Sequence, residues 1–167
     1  LSEPLYLALT FDEELGCFGA ERMPAFLEAA EVTPRIAIIG EPTGMMPINA
    51  HKGGMELVTH VRGAAAHASN PDNGVNAIFA ASKIIGFIEQ LAAECAGAPV
   101  AGSALDPPPT TLSVGTIRGS AALNAIPEDS SLDWEIGAHP GTGPHALPRR
   151  VPHFVEDDVL PPTHAPT

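Results

Sequence analysis

The 167 residues are 44% hydrophobic and 17% charged, with 20 Asp and Glu against 8 Lys and Arg and a formal net charge of -12 at pH 7. That suffices for one domain core, or for one domain and part of another, while the acidic balance opposes nucleic acid and anionic membrane as partners, since both need a basic surface. No run of about 18 apolar residues offers a membrane-crossing helix, and two cysteines, Cys17 and Cys95, outside any C-x-x-C pair, point to a reduced, cytoplasmic setting rather than a disulfide framework.

In chain order, the first ten residues lack the basic start and small-residue cleavage site of a signal peptide. Without an initiator Met, the chain reads as starting inside a longer protein. Residues 5–11 are an apolar run that ends on Asp12-Glu13-Glu14, with Gly16 and Gly19 beyond; this predicts a buried strand delivering polar groups at its carboxyl end. Met23, Phe26, Leu27 and Ala30 predict a helix over 21–31, stopped by Pro34. Residues 35–40 predict a second buried strand ending on Glu41, with Pro42 and Gly44 after it. Strand, helix, strand with acids at both strand ends is the layout of an open α/β sheet, which places its site outside the carboxyl ends of its strands.

The character changes after Pro47. Residues 55–62 have strand composition and 63–73 read as a polar, small-residue loop. The strongest helix signal covers 74–94, where Ala77, Ile78, Ala81, Ile84, Ile85, Ile88 and Leu91 make one apolar stripe fit to pack on a sheet. A Gly/Ala/Pro-rich loop spans 96–109, followed by a strand at 110–117, a turn at 119–124 and an alternating strand at 131–136. Together these predict an α+β layer with antiparallel strands. Residues 146–160 have helical spacing, but Pro148 and Pro152 each cost about 3 kcal/mol inside a helix, which predicts a broken or late-starting one. Residues 161–167 read as a frayed tail.

Three consecutive carboxylates at a strand end repel one another unless cations lie between them. Two divalent ions would relieve the crowding, activate water and clamp a carbonyl; an acidic pair that merely favours a following helix N-terminus fits the same spacing. His67 reads equally as an idle surface histidine, and Asn124 as a turn-former.

The motifs narrow these choices. T-F-D-E-E-L-G-C-F-G at 10–19, I-I-G-E-P-T at 38–43, H-K-G at 51–53, G-A-A-A-H-A-S-N-P-D-N-G-V-N-A at 63–77 and T-L-S-V-G-T-I-R-G-S-A-A-L-N-A-I-P at 111–127 occur in one order over residues 5–141. That series resembles the acetylornithine deacetylase and succinyl-diaminopimelate desuccinylase family of two-metal amidohydrolases. The wording around H-K-G and N-A-I-P is nearest the acetylornithine deacetylases.

The resemblance implies part of a metal-dependent catalytic α/β domain over 1–47 and an incomplete α+β dimerisation lid over 48–160, with an antiparallel sheet and two helices. It implies Glu13 as general base, taking a proton from the attacking water and returning it to the leaving amine. Glu14 and Glu41 would each ligate one ion, with zinc or cobalt suited to the expected oxygen and histidine ligands. His67 would reach from the lid into the partner subunit's site and donate to the oxyanion, and Asn124 would hold the substrate's carbonyl or carboxylate. Lys52-Gly53-Gly54 reads as hinge backbone between the two domains. The implied substrate is a small N-acylated amino acid, N-acetylornithine first and a desuccinylase or aminoacylase substrate as alternative, and the implied assembly is a homodimer through the lid.

Departures from the pattern are informative. Where the family carries an Arg for the substrate carboxylate, Gly137 stands, and a glycine cannot replace a bidentate clamp. The upstream H-x-D, the bridging Asp, the late metal-binding His and the last lid strand have no counterpart here. A non-catalytic dimerisation module or inactive truncated homologue is therefore the rival expectation for these residues alone. A nucleotide-binding domain is disfavoured, since neither G-x-G-x-x-G nor G-x-x-x-x-G-K-[ST] occurs.

Overall fold

The computed structural model describes residues 4–119, 122–143 and 145–160, and the chain divides between Pro47 and Ile48 into two compact units. The frayed tail expected at 161–167 lies outside the described residues.

The first unit holds two short helices, α1 (Phe18–Glu21) and α2 (Met23–Ala29). The single helix expected over 21–31 is thus divided at Arg22. Pro24 falls in the first turn of α2, where its missing N–H removes no helical bond. The helix ends ahead of Glu31, whose φ of 53° leaves helical space, so Pro34 is not what stops it. A further correction concerns the runs at 5–11 and 35–40. Both are irregular, with no ladder partner among the described residues, and Leu7 and Ile38 are 85% and 92% exposed. A strand that is apolar on both faces needs a neighbour on each edge and a layer on each face. The described residues supply neither, so composition alone does not make these runs strands.

The second unit has the expected antiparallel sheet and two helices. It contains β1 (Gly53–Arg62), β2 (Ala66–His67), a 3-10 turn (Pro71–Asn73), α3 (Ala77–Gly97), β3 (Thr111–Gly119), β4 (Ala125–Ile126), β5 (Asp129–Ala138) and α4 (Ala146–Phe154), which passes into a π-helical turn (Val155–Val159). The main sheet has the order β1-β5-β3, all antiparallel, with Leu57 opposite Trp134 and Val114 opposite Trp134 on the other side. A bulge at Gly115 breaks the β3 register between Val114 and Thr116. Alternation along β5 buries Ser130, Leu132, Trp134, Ile136 and Ala138 against α3 and turns Asp129, Ser131, Asp133 and Glu135 the other way.

Of the stripe expected on α3, Ala77, Ala81, Ile84, Ile88 and Leu91 are at most 2% exposed, Ile85 is half-buried and Ile78 is exposed. With Leu132, Trp134, Ile136 and Val151 the buried members form the core, each fully buried large side chain contributing about 1.5–3 kcal/mol. The Trp134 indole N–H donates to Thr59 Oγ1 across 3.0 Å, so its polar edge is not stranded.

Asn76 caps α3, its Oδ1 accepting the backbone N–H groups of Ile78 and Phe79 at 3.0 and 3.1 Å. Asn76→Ala is expected to lower the stability of the protein by about 1 kcal/mol, read as a shift of the urea midpoint with unchanged slope.

Helix α4 begins at Ala146, so Pro148 sits in its first turn. The helix therefore is not late-starting. Only Pro152 is interior, and the backbone changes to the π-helical turn three residues later. Stacking of Phe154 on Phe87, with ring centroids 4.2 Å apart, and a 2.7 Å Arg150–Glu94 ion pair hold α4 to α3. The Arg150 guanidinium, then the Gln90 amide, hold the Glu94 carboxyl below its ordinary range. On the sheet's outer face the Thr116 hydroxyl and then Arg118 do the same for Asp133. Among the described residues no helix is long and apolar enough to cross a membrane.

Candidate functional site

In the first unit the acidic motif is a backbone-locked turn. Asp12 and Cys17 have φ of 56° and 61°. The N–H of Cys17 reaches the carbonyls of Asp12 and Glu13 at 3.0 and 3.1 Å, and the N–H of Gly16 donates to Glu13 at 3.1 Å. Gly19 donates to the Phe11 carbonyl at 3.1 Å, and a Cβ there would lie 2.5 Å from that oxygen. The second glycine of the motif is thus a packing requirement: α1 starts directly against the backbone that leads into the acids. The Glu13 and Glu14 side chains are exposed.

Glu41 opens a second turn. The Thr43 N–H donates to the Glu41 carbonyl at 2.9 Å, and the Thr43 hydroxyl donates to the Met46 carbonyl at 2.7 Å. Its carboxylate is also exposed. Among the described residues no three His, Cys, Asp or Glu side chains stand close enough to hold a metal ion. The carboxylates suit hard divalent ions chemically, but by themselves these residues do not make a metal centre.

In the second unit the backbones of two expected site residues are brought close. The run 63–73, expected as a plain loop, carries β2, which pairs with β4 so that His67 lies opposite Ala125 and Ala66 opposite Ile126. The next backbone bond runs from the Ala68 N–H to the Asn124 carbonyl at 2.9 Å, which sets His67 beside Asn124. The loop is stitched on its other sides as well. Gly63 donates to the Glu128 carbonyl at 2.7 Å, Ala64 and Val75 exchange backbone bonds at 2.9 Å, and Ala77 donates to the Pro127 carbonyl at 2.9 Å. A Cβ on Gly63 would collide with the Val75 carbonyl, which explains the glycine that opens this motif.

His67 itself is exposed, with Nδ1 2.7 Å from the Ser69 hydroxyl oxygen and 3.3 Å from the Ser69 backbone nitrogen. Ser69 was not expected at the site. Its signal is the H-x-S spacing, since a serine two residues along a turn can reach back to its neighbour. Asn124, in the turn before β4, is exposed.

At the far end of the sheet Gly137 pairs with Gly54 and Thr111, and a Cβ at 137 would collide with the Thr111 hydroxyl. A larger residue at 137, such as the arginine that the resemblance leads one to expect, would therefore need the Thr111 hydroxyl to move.

A family profile described as peptidase dimerisation domain matches residues 49–159. The chain is 38% identical over 147 residues to an acetylornithine deacetylase from Myxococcus xanthus, covering 88% of this chain and 38% of that one. It is 40% identical over 141 residues to an acetylornithine deacetylase from Salmonella arizonae, covering 84% of this chain and 36% of that one. The chain thus spans little more than a third of the length of these relatives. Among solved structures, a hydantoinase/carbamoylase family amidase from Burkholderia ambifaria matches with a TM-score of 0.51 and 21% identity, over 64% of this chain and 25% of that one, a likeness of fold alone.

Proposed function

Because the chain belongs to the peptidase dimerisation domain family of acetylornithine deacetylase-like amidohydrolases, we propose that it is part of a longer metal-dependent amide hydrolase that converts N-acetylornithine to ornithine and acetate in arginine biosynthesis. The observation that carries this reading is the 38% identity to an acetylornithine deacetylase over 147 residues. That alignment is longer than the second unit, so it takes in part of the acidic first unit as well as the lid.

In this reading residues 1–47 belong to the catalytic domain and 48–160 to the lid. Glu13 accepts the proton of the attacking water and delivers it to the departing amine, a role suited to a carboxylate on a rigid turn. Glu14 and Glu41 would each lend a carboxylate to a zinc or cobalt ion whose other ligands lie outside this chain; such ions lower the pKa of water and polarise carbonyls. His67 donates a hydrogen bond to the oxyanion that develops on the scissile carbonyl, in the site of the partner subunit of a cytoplasmic homodimer. Asn124, fixed beside it by the Ala68–Asn124 backbone bond, holds the substrate's carbonyl or carboxylate.

The test is hydrolysis by the longer protein of N-acetylornithine against N-succinyl-diaminopimelate. Preference for the first is expected; preference for the second would make it a desuccinylase, and cleavage of neither would remove the assignment.

For the 167 residues alone, the match of residues 49–159 to the peptidase dimerisation domain supports a second reading, a dimerisation module without a catalytic centre of its own. Calorimetric titration of the chain with zinc is expected to show no tight site. Tight binding of two ions per chain would overturn this reading.

A further inference from the structure

We infer that Ser69 is the positioning residue that fixes which ring nitrogen of His67 carries the proton, an inference that rests on the oxyanion role proposed for His67. Ser69 brings two polar groups to one nitrogen: its hydroxyl lies 2.7 Å from Nδ1, and its backbone N–H donates to Nδ1 across 3.3 Å. The two groups do not carry equal information. A hydroxyl hydrogen can rotate and serve either tautomer, whereas an amide hydrogen points where the backbone points it. The amide of Ser69 therefore favours a bare Nδ1, and a neutral imidazole bare at Nδ1 carries its hydrogen on Nε2. The hydroxyl then donates to the same lone pair and strengthens the choice. What remains is an Nε2–H donor on an exposed side chain, the form an oxyanion requires.

The turn that folds Ser69 back over the ring is itself held. The Asn70 N–H donates to the His67 carbonyl at 2.9 Å, and the Ala68 N–H to the Asn124 carbonyl at 2.9 Å. Substitution at the Ser69 side chain should therefore change the ring's hydrogen-bonding partner while leaving the β2–β4 ladder in place.

The tautomer is read by long-range proton–nitrogen NMR on the 167-residue protein, at a pH where the ring is neutral. The wild type is expected to hold the Nε2–H form, and Ser69→Thr to keep it. Ser69→Ala, which leaves only the longer amide contact, should admit a mixture. Ser69→Asp, whose carboxylate can only accept, should draw the proton to Nδ1 and invert the ring. In the longer enzyme Ser69→Asp should then lower kcat by about 10²-fold, the scale of a lost oxyanion donor, with KM unchanged, while Ser69→Thr retains wild-type kcat. A wild-type ring in the Nδ1–H form, or a tautomer indifferent to Ser69→Asp, overturns the inference. If the tautomer inverts while kcat stays at the wild-type level in both Ser69→Asp and His67→Ala, Ser69's control of the ring stands and the oxyanion role falls.

Discussion

Glu13→Gln in the proposed longer enzyme is expected to lower kcat by about 10²–10⁴-fold, the range a positioned general base supplies. The substitution keeps the size and shape of the side chain and removes its ability to accept a proton. Its effect on folding should be small. The turn is held through backbone atoms, with the carbonyl of residue 13 accepting from Gly16 and Cys17, while the Glu13 side chain is exposed. Steady-state kinetics with N-acetylornithine, set beside a thermal melt, makes the check: an unchanged kcat would take the base role away from Glu13, and a collapsed melting curve would show the carboxylate to be structural.

His67→Ala should lower kcat by about 10²–10³-fold through loss of the oxyanion donor. A mixing experiment then says whose site the imidazole serves. A site built in trans needs Glu13 from one subunit and His67 from the other. A heterodimer of Glu13→Gln and His67→Ala subunits would then contain one intact site, and random mixing should restore about a quarter of wild-type activity in a two-fold dimer. A site built within one subunit would regain nothing, because each subunit then lacks one of its own residues. No recovery would therefore confine His67 to its own subunit or exclude it from the reaction.

Much of the second unit was legible because its periodicities are long. The apolar stripe on α3 and the alternation of β5 each repeat often enough to fix one buried face. The ladder that sets His67 beside Asn124 was not legible, since β2 and β4 are two residues long, too short to carry a period. It is specified instead by small residues, above all Gly63, that let backbones approach. Expectation failed at residues 5–11 and 35–40 because an apolar run states an appetite for burial and not its satisfaction. Pro148 misled because a proline's cost depends on its place in the helix, and the boundary at Ala146 puts it where that cost vanishes. Of the proposed site residues, Glu13, Glu14, Glu41, His67 and Asn124 were nameable from motifs. Ser69 required coordinates, because its significance lies in a hydroxyl and an amide hydrogen turned back onto one ring nitrogen.

The Thr111 hydroxyl standing where a Cβ of residue 137 would go couples two positions that are far apart in the chain. A side chain at 137 requires the Thr111 hydroxyl to swing aside or that residue to shrink. Gly137→Arg alone should therefore cost more stability than Gly137→Arg combined with Thr111→Gly, a non-additive pair of the kind neighbouring residues produce.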